Sequence, residues 1–146
     1  MNRVLLLHGP NLNLLGEREP HIYGDDSLDD YVALAAEVAE RCGLTIEAHQ
    51  SNHEGELIEL IHAARNRCQA IIINPGAFTH YAWAIHDALA AFDGVKVELH
   101  ISNPNAREPW RHTSVVAPVA TGSIVGFGKH GYELAVQAVA AKLAGH

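Results

Sequence analysis

The chain has 146 residues, 48% of them hydrophobic and 18% charged, a size that buries about two-thirds of its unfolded surface in a core without staples. Its 17 acidic against 10 basic residues leave a net charge of −7, which argues against a general nucleic-acid or anionic-membrane binder; an anionic partner must be met locally. Cys42 and Cys68, without a CxxC, suggest neither a disulfide framework nor a zinc knuckle, and no apolar run is long enough for a secretion signal or a membrane span, so a cytoplasmic location is expected.

Short aliphatic or β-branched runs alternate with helical patterns along the chain. The first run, Arg3 to Leu7, is followed by a connection from His8 to Ser27, about 20 residues and long enough for a lid or binding element. Leu28, Val32, Ala35, Ala39 and Cys42 then recur at helical spacing, with Ser27 as N-cap and Gly43 as the stop. A second run, Leu44 to Ala48, leads to Ser51 or Asn52 as a cap, with Glu54 and Glu56 in the first turn of a helix read through Leu57, Ile61, Ala64 and Cys68. Ala70 to Ile73 is the continuous apolar run of a central strand. After it, Thr79 reads as the cap of a helix from about Tyr81 to Phe92. The runs Val95 to Ile101 and Ser123 to Phe127 precede a last helix from about Tyr132 to Leu143. This alternation predicts an α/β fold, a doubly wound five-stranded parallel sheet in a single domain over residues 1–146, with no repeat or linker dividing it.

In such a sheet a ligand sits beyond the carboxyl ends of the strands, where the winding reverses, so the loops after the first, third and fourth strands matter. The first carries Arg18 and Tyr23, bracketed by Gly16, Pro20 and Gly24. A phenol with an ordinary pKa of about 10 is a poor base, but a nearby guanidinium favours its ionised form. The bland alternative is a solvated arginine and a tyrosine that anchors the loop. On the fourth strand Glu98 and His100 share a face, so the carboxylate can orient the imidazole and hold it protonated, as a general acid requires. Alone, the pair could equally be a satisfied half-buried histidine. Ser102, Asn103, Arg107 and Arg111 follow, a locally cationic patch suited to a carboxylate or phosphate. After the third strand, Asn74 and Gly76 lie where backbone amides at the predicted helix start could accept an anionic or hydroxylated ligand. His80 and Asp87, with Ala84 between them, are read as one helical stripe that faces another subunit.

Other signals are discounted. Gly126, Gly128 and Gly131 match GxGxxG, but the chain ends 15 residues later with no further strand; the segment is read as a tight turn that lets the last helix pack on the sheet. His49 and His53 straddle a strand-to-helix junction and no HExxH occurs, so no metal is expected, nor a GxSxG serine hydrolase or a phosphate-binding P-loop.

Taken together, LLLHGPNLNLLGEREPHIYG, QSNHEGELIELIH, INPGAFTHYAWAIHDAL, VELHISNPNAREPWRHTS and ATGSIVGFGKHGYELA resemble the type II 3-dehydroquinate dehydratases over nearly the whole chain, in order. The resemblance implies a flavodoxin-like fold and a homododecamer, a tetramer of trimers. It further implies reversible removal of water from 3-dehydroquinate to give 3-dehydroshikimate through an enolate, in the shikimate pathway or quinate catabolism, with no cofactor and no metal. Carried over by residue, Tyr23 is the phenolate base and Arg18 keeps it ionised. Asn11, through a held water, stabilises the enolate oxygen, and His100, oriented by Glu98, protonates the departing hydroxyl. Asn74, Gly76, His80, the backbone at Ile101, Ser102 and Arg111 would bind the substrate's hydroxyls and carboxylate. Arg107 would close over or brace the pocket, and Asp87 would reach a neighbouring subunit's site. The unrelated type I enzymes depend on a lysine, and Lys96 faces away from the Glu98 pair. The chain departs from the family pattern at Pro109, Ala82 and His112-Thr113, and Pro109 is expected to stiffen the loop that leads to Arg111.

The competing classes are a small-molecule-binding or signalling module on the same fold, and a silent scaffold. A receiver domain would place acids at the ends of the first and third strands, where His8 and Asn74 stand. Of the 11 histidines, only His80 and His100 are placed for a role at the site; His8 is left open between strand end and pocket, and the rest read as surface or turn residues.

Overall fold

The structure is a computed structural model that describes all 146 residues. Five parallel strands join one sheet in the order β2-β1-β3-β4-β5: β1 Asn2–His8, β2 Leu44–Gln50, β3 Ala70–Asn74, β4 Val95–His100 and β5 Gly122–Val125. This is the flavodoxin-like order, whose winding reverses between β1 and β3. The central strands carry the most apolar runs because both their faces are covered; Leu5, Leu6, Leu7 and Ile71 are fully buried, and Ile72 and Ile73 nearly so.

The connecting helices are α1 Pro20–Tyr23, α2 Leu28–Arg41, α3 Glu54–Ala64, α4 Trp83–Ala90 and α5 His130–Leu143. Side chains of α2 and α5 pack on one face of the sheet with Leu6 and Ile72, those of α3 and α4 on the other with Leu5 and Ile71, so the pleat sends alternate strand residues into two separate cores. None of the helices is long and apolar enough to cross a membrane. At the start of α2, Ser27 accepts from the Asp30 amide while the Asp30 carboxylate accepts from the Ser27 amide, a reciprocal capping box, and Gly43 follows its end at φ +75°.

Several local expectations are corrected. The long connection after β1, read without elements of its own, holds a 3₁₀ turn at Leu12–Leu14 and helix α1. The second predicted helix ends at Ala64 rather than Cys68, because Arg65 turns to extended backbone and Asn66 takes φ +64°. Neither Ser51 nor Asn52 is its N-cap. His53 occupies that position without a side-chain bond, Ser51 accepts from the His53 amide and donates to Glu56, and Asn52 turns to the Asn11 amide. Thr79 caps no helix: it lies inside a 3₁₀ segment, Gly76–His80, and α4 begins at Trp83. His80 and Asp87 therefore stand on different elements, not on one helical stripe. The last strand, β5, starts earlier and is shorter than its run suggested, because Gly126 turns at φ +89°.

Candidate active site

The loops after β1, β3 and β4 meet at the carboxyl edge of the sheet around a cleft of about 250 Å³, just below the usual range for ligand pockets of about 300 Å³ and upward. Its floor depends on two glycines. A Cβ on Gly9 would stand 2.2 Å from the Pro75 carbonyl oxygen, and one on Gly76, at φ +58°, would stand 3.1 Å from the Pro10 carbonyl oxygen. Without side chains there, the two loops close on each other, and the Gly9 amide donates to the Asn74 carbonyl at 2.8 Å. Asn11, at φ +69°, holds the rim by donating its amide to Asn52 Oδ1 at 3.0 Å.

The end of β4 forms one wall. Glu98 is buried behind His100, whose Nε2 lies 2.6 Å from Glu98 Oε2. The same carboxylate accepts from the Thr79 hydroxyl, and Ser114 Oγ lies 2.9 Å from both of its oxygens. Burial pushes the Glu98 carboxyl up, but the bonds from His100, Thr79 and Ser114 prevail and hold it below its ordinary value. A charged carboxylate is thus kept against one imidazole nitrogen while Nδ1 makes no hydrogen bond within the chain and the ring borders the cleft. That arrangement suits a proton donor.

The opposite wall is Tyr23, the last residue of α1. Its hydroxyl accepts from Arg107 Nη1 at 2.8 Å, and its carbonyl accepts from the Tyr31 hydroxyl at 2.7 Å, which ties α1 to α2. Arg18 lies against the ring rather than the hydroxyl, its guanidinium carbon 5.2 Å from the ring centroid, and Arg107 lies 5.6 Å from it. Two cations therefore bracket the phenol. Glu19 stands between them, 3.3 Å from Arg18 and 3.9 Å from Arg107. Arg111 stacks on the Trp110 indole at 4.0 Å and pairs with Glu108, whose carboxyl that contact holds down. His80, edge-on to the same indole, donates from Nδ1 to the Thr113 carbonyl at 2.7 Å. Burial, with His100 and Arg111 nearby, keeps His80 below its ordinary pKa.

Of the residues singled out from the sequence, Asn11, Arg18, Tyr23, Asn74 and Gly76 border this cleft from the β1 and β3 sides. His80, His100, Ile101, Ser102, Arg107 and Arg111 border it from the other. Glu98 stands behind His100. Asp87 is apart, exposed on α4 beside the exposed Trp83 and near the exposed Tyr81. His8, left open above, lies under the cleft and is fully buried. The site residues the sequence reading missed are Ser114, Trp110 and Glu19, and Thr79 was found but given another role. Lys96, expected to face away from Glu98, in fact shares its face of β4, two residues earlier, but it lies at the other end of the strand, its Nζ donating to the carbonyls of Leu89 and Phe92 at the end of α4. The turn at Gly126 and Gly128 is not part of the cleft, and a Cβ on Gly131 would stand 3.2 Å from Leu99, so that glycine lets α5 settle on the sheet. No cluster of His, Cys, Asp and Glu side chains is arranged to hold a metal ion. A phenol flanked by guanidiniums and an imidazole backed by a carboxylate, facing one cleft, are an arrangement that can take up and deliver protons on one small acid.

The sequence from residue 2 to 140 matches the family described as dehydroquinase class II. The chain is 56% identical over 137 residues to the catabolic 3-dehydroquinase of Aspergillus clavatus, covering 94% of this chain and 91% of that one. It is 50% identical over 139 residues to the 3-dehydroquinate dehydratase of Halalkalibacterium halodurans, covering 95% and 96%. The crystal structure of the type II dehydroquinase from Propionibacterium acnes superposes with a TM-score of 0.93 at 43% identity, covering 97% of each chain.

Proposed function

The chain belongs to the class II dehydroquinases, hydro-lyases that take water from 3-dehydroquinate to give 3-dehydroshikimate, and from that premise we propose how its residues divide the reaction. Tyr23, as phenolate, removes a proton from the carbon beside the ketone, and the electron pair moves onto the ketone oxygen as an enolate. Arg107 at the hydroxyl and Arg18 at the ring favour the phenolate before the proton moves and the developing negative charge as it moves. Asn11, at the rim, acts through a held water on the enolate oxygen. The enolate then collapses, the carbon–oxygen bond to the departing hydroxyl breaks, and His100 supplies the proton with which that hydroxyl leaves as water. Tyr23 ends protonated and His100 deprotonated, and solvent resets both.

Arg111, His80, Ser102, Asn74 and the backbone at Gly76 and Ile101 hold the substrate's carboxylate and hydroxyls, and Arg107 braces the pocket against Tyr23 and Ser102. Asp87, with Tyr81 and Trp83 exposed near it, fits a homododecamer, a tetramer of trimers, in which it reaches a neighbouring subunit's site. The enzyme would work in the cytoplasm on the shikimate route, a step that quinate breakdown shares.

The observation that carries this reading is the Glu98–His100 pair, pinned by Thr79 and Ser114 and facing the cleft that Tyr23 closes. The test is purified protein with 3-dehydroquinate and no added metal or nucleotide, followed by the rise of conjugated enone absorbance. Turnover that Tyr23→Phe abolishes is the expected result; a Tyr23→Phe enzyme at near-native rate would remove the phenolate from the mechanism.

A further inference from the structure

Tyr81, Trp83, Trp110 and Phe127 are large rings left more than half exposed, and of these Trp110 alone borders the cleft. The proposed chemistry leaves it without a role. It belongs to the 3₁₀ turn Pro109–His112, which the fixed φ of Pro109 opens. Two bonds hold the backbone of that turn: the Arg111 amide donates to the Glu108 carbonyl at 2.9 Å, and His112 Nε2 donates to the Arg107 carbonyl at 3.2 Å. The direction of the Arg111 guanidinium is not settled by this, because a flexible stem separates it from the backbone.

Two side chains settle it. Glu108 takes Nε, and the Trp110 indole carries the guanidinium on its face, with the guanidinium carbon 4.0 Å from the ring centroid. The indole is braced in turn by His80, whose ring meets it at 5.3 Å and 85° and is itself tied to the Thr113 carbonyl. Glu108 alone is a weak guide, since its carboxylate is half exposed and water screens the pair. The stacked contact is better shielded: only 18% of the Arg111 side chain is exposed, and a cation on an indole face gains strength as water is excluded. Nη1 and Nη2 of Arg111 make no hydrogen bond within the chain, so they are the donors left for a ligand.

We propose that Trp110 is a positioning residue for Arg111: the indole, braced by His80, holds the guanidinium at the cleft so that Nη1 and Nη2 meet the substrate while Glu108 occupies Nε. The inference rests on the reading of Arg111 as a substrate contact. An aliphatic side chain of similar bulk would exclude water but would not attract the cation.

The experiment compares steady-state kinetics on 3-dehydroquinate for Arg111→Ala, Trp110→Leu, Trp110→Phe and the double variant Trp110→Leu/Arg111→Ala, with thermal melting to check folding. A guanidinium that wanders binds substrate and transition state less well alike, so Trp110→Leu raises KM about fivefold and leaves kcat within about twofold. Trp110→Phe keeps an aromatic face under the cation and holds KM within about twofold of native. In the Arg111→Ala background Trp110→Leu adds nothing further to KM. Effects that simply add would mean that Trp110 meets the substrate itself, and equal KM values for Trp110→Leu and Trp110→Phe would remove the stacking; either result overturns the proposal. If Arg111→Ala itself leaves KM native, the substrate-contact reading fails and takes this inference with it. A second measurement leaves Trp110 in place and does not depend on Trp110→Leu folding. In a Trp83→Phe background Trp110 is the one remaining tryptophan, and Arg111→Ala, by baring a face of the indole, raises the quenching of its fluorescence by acrylamide. Unchanged quenching also overturns the proposal.

Discussion

Both β1 and β4 end in a histidine at the carboxyl edge of the sheet, and the two strand ends use it in opposite ways. At the end of β4 the ring lies against a charged carboxylate and borders the cleft. At the end of β1 it lies between a backbone carbonyl and a phenol, out of reach of solvent. The same residue type in the same strand position is thus set against a countercharge at the cleft in one case and becomes a fixed neutral dipole in the other. Partner and burial decide it: a carboxylate stabilises the imidazolium, whereas burial without a countercharge expels the proton.

The largest effect separating the two ends is expected in turnover. His100→Ala should lower kcat by about 10³-fold, the loss of one general acid, while the melting temperature moves little; a fall of less than about tenfold would mean that the two strand-end histidines do not differ in this way. At the β1 end the contrast appears in stability against pH instead. In the unfolded chain His8 takes up a proton below its ordinary pKa of 6.5, but in the folded chain only near about 4. Stability is therefore complete above that window and falls as pH drops through it, by roughly 3 kcal/mol in all, with His80 adding a smaller loss of the same sign. His8→Gln should flatten most of the slope in denaturant titrations, and an unchanged slope would locate the buried titration elsewhere.

Ser114→Ala tests the support behind His100. It removes a donor to Glu98, so that carboxyl should move back toward its ordinary value and the acid limb of kcat/KM should shift to higher pH, at a stability cost of about 1 kcal/mol. An unmoved limb would mean that Ser114 serves only the Val116 and Ala117 amides it also accepts from. The smallest effect is expected at Glu47, on edge strand β2, whose pKa the Arg67 guanidinium brings down to about 2. That pair is solvent-screened, so Arg67→Met should cost no more than about 1 kcal/mol and leave kcat/KM native. A depressed carboxyl is not by itself a sign of a site.

What could be read from the sequence follows the range of the interactions. The central strands are legible because burial on both faces makes Ala70 to Ile73 a continuous apolar run, and the Ser27 cap because its partner is three residues away. Glu98 and His100 are legible because a strand puts alternate residues on one face. Thr79 was misread because a threonine ahead of a helical pattern looks like a cap, and only the folded chain brings Glu98, 19 positions on, to its hydroxyl. Ser114 carries no local signal at all. The Arg107 bond to Tyr23 spans 84 positions, so the sequence could nominate Arg18, five residues from Tyr23, but not the guanidinium that reaches the hydroxyl. His8 stayed open for the same reason: its state is set by Tyr132, 124 positions away.

No lysine borders the cleft, whose permanent cations are guanidiniums, and the three lysines are committed elsewhere: Lys96 to the end of α4, Lys129 to Asp26 and Lys142 to the terminal His146 carbonyl. Reagents that acylate or reductively alkylate amines will therefore find no target in the cleft. Tethering the protein to a surface, or attaching a dye through lysine, should leave its active site open, whereas an arginine-directed dicarbonyl should silence it and the substrate's carboxylate should protect it.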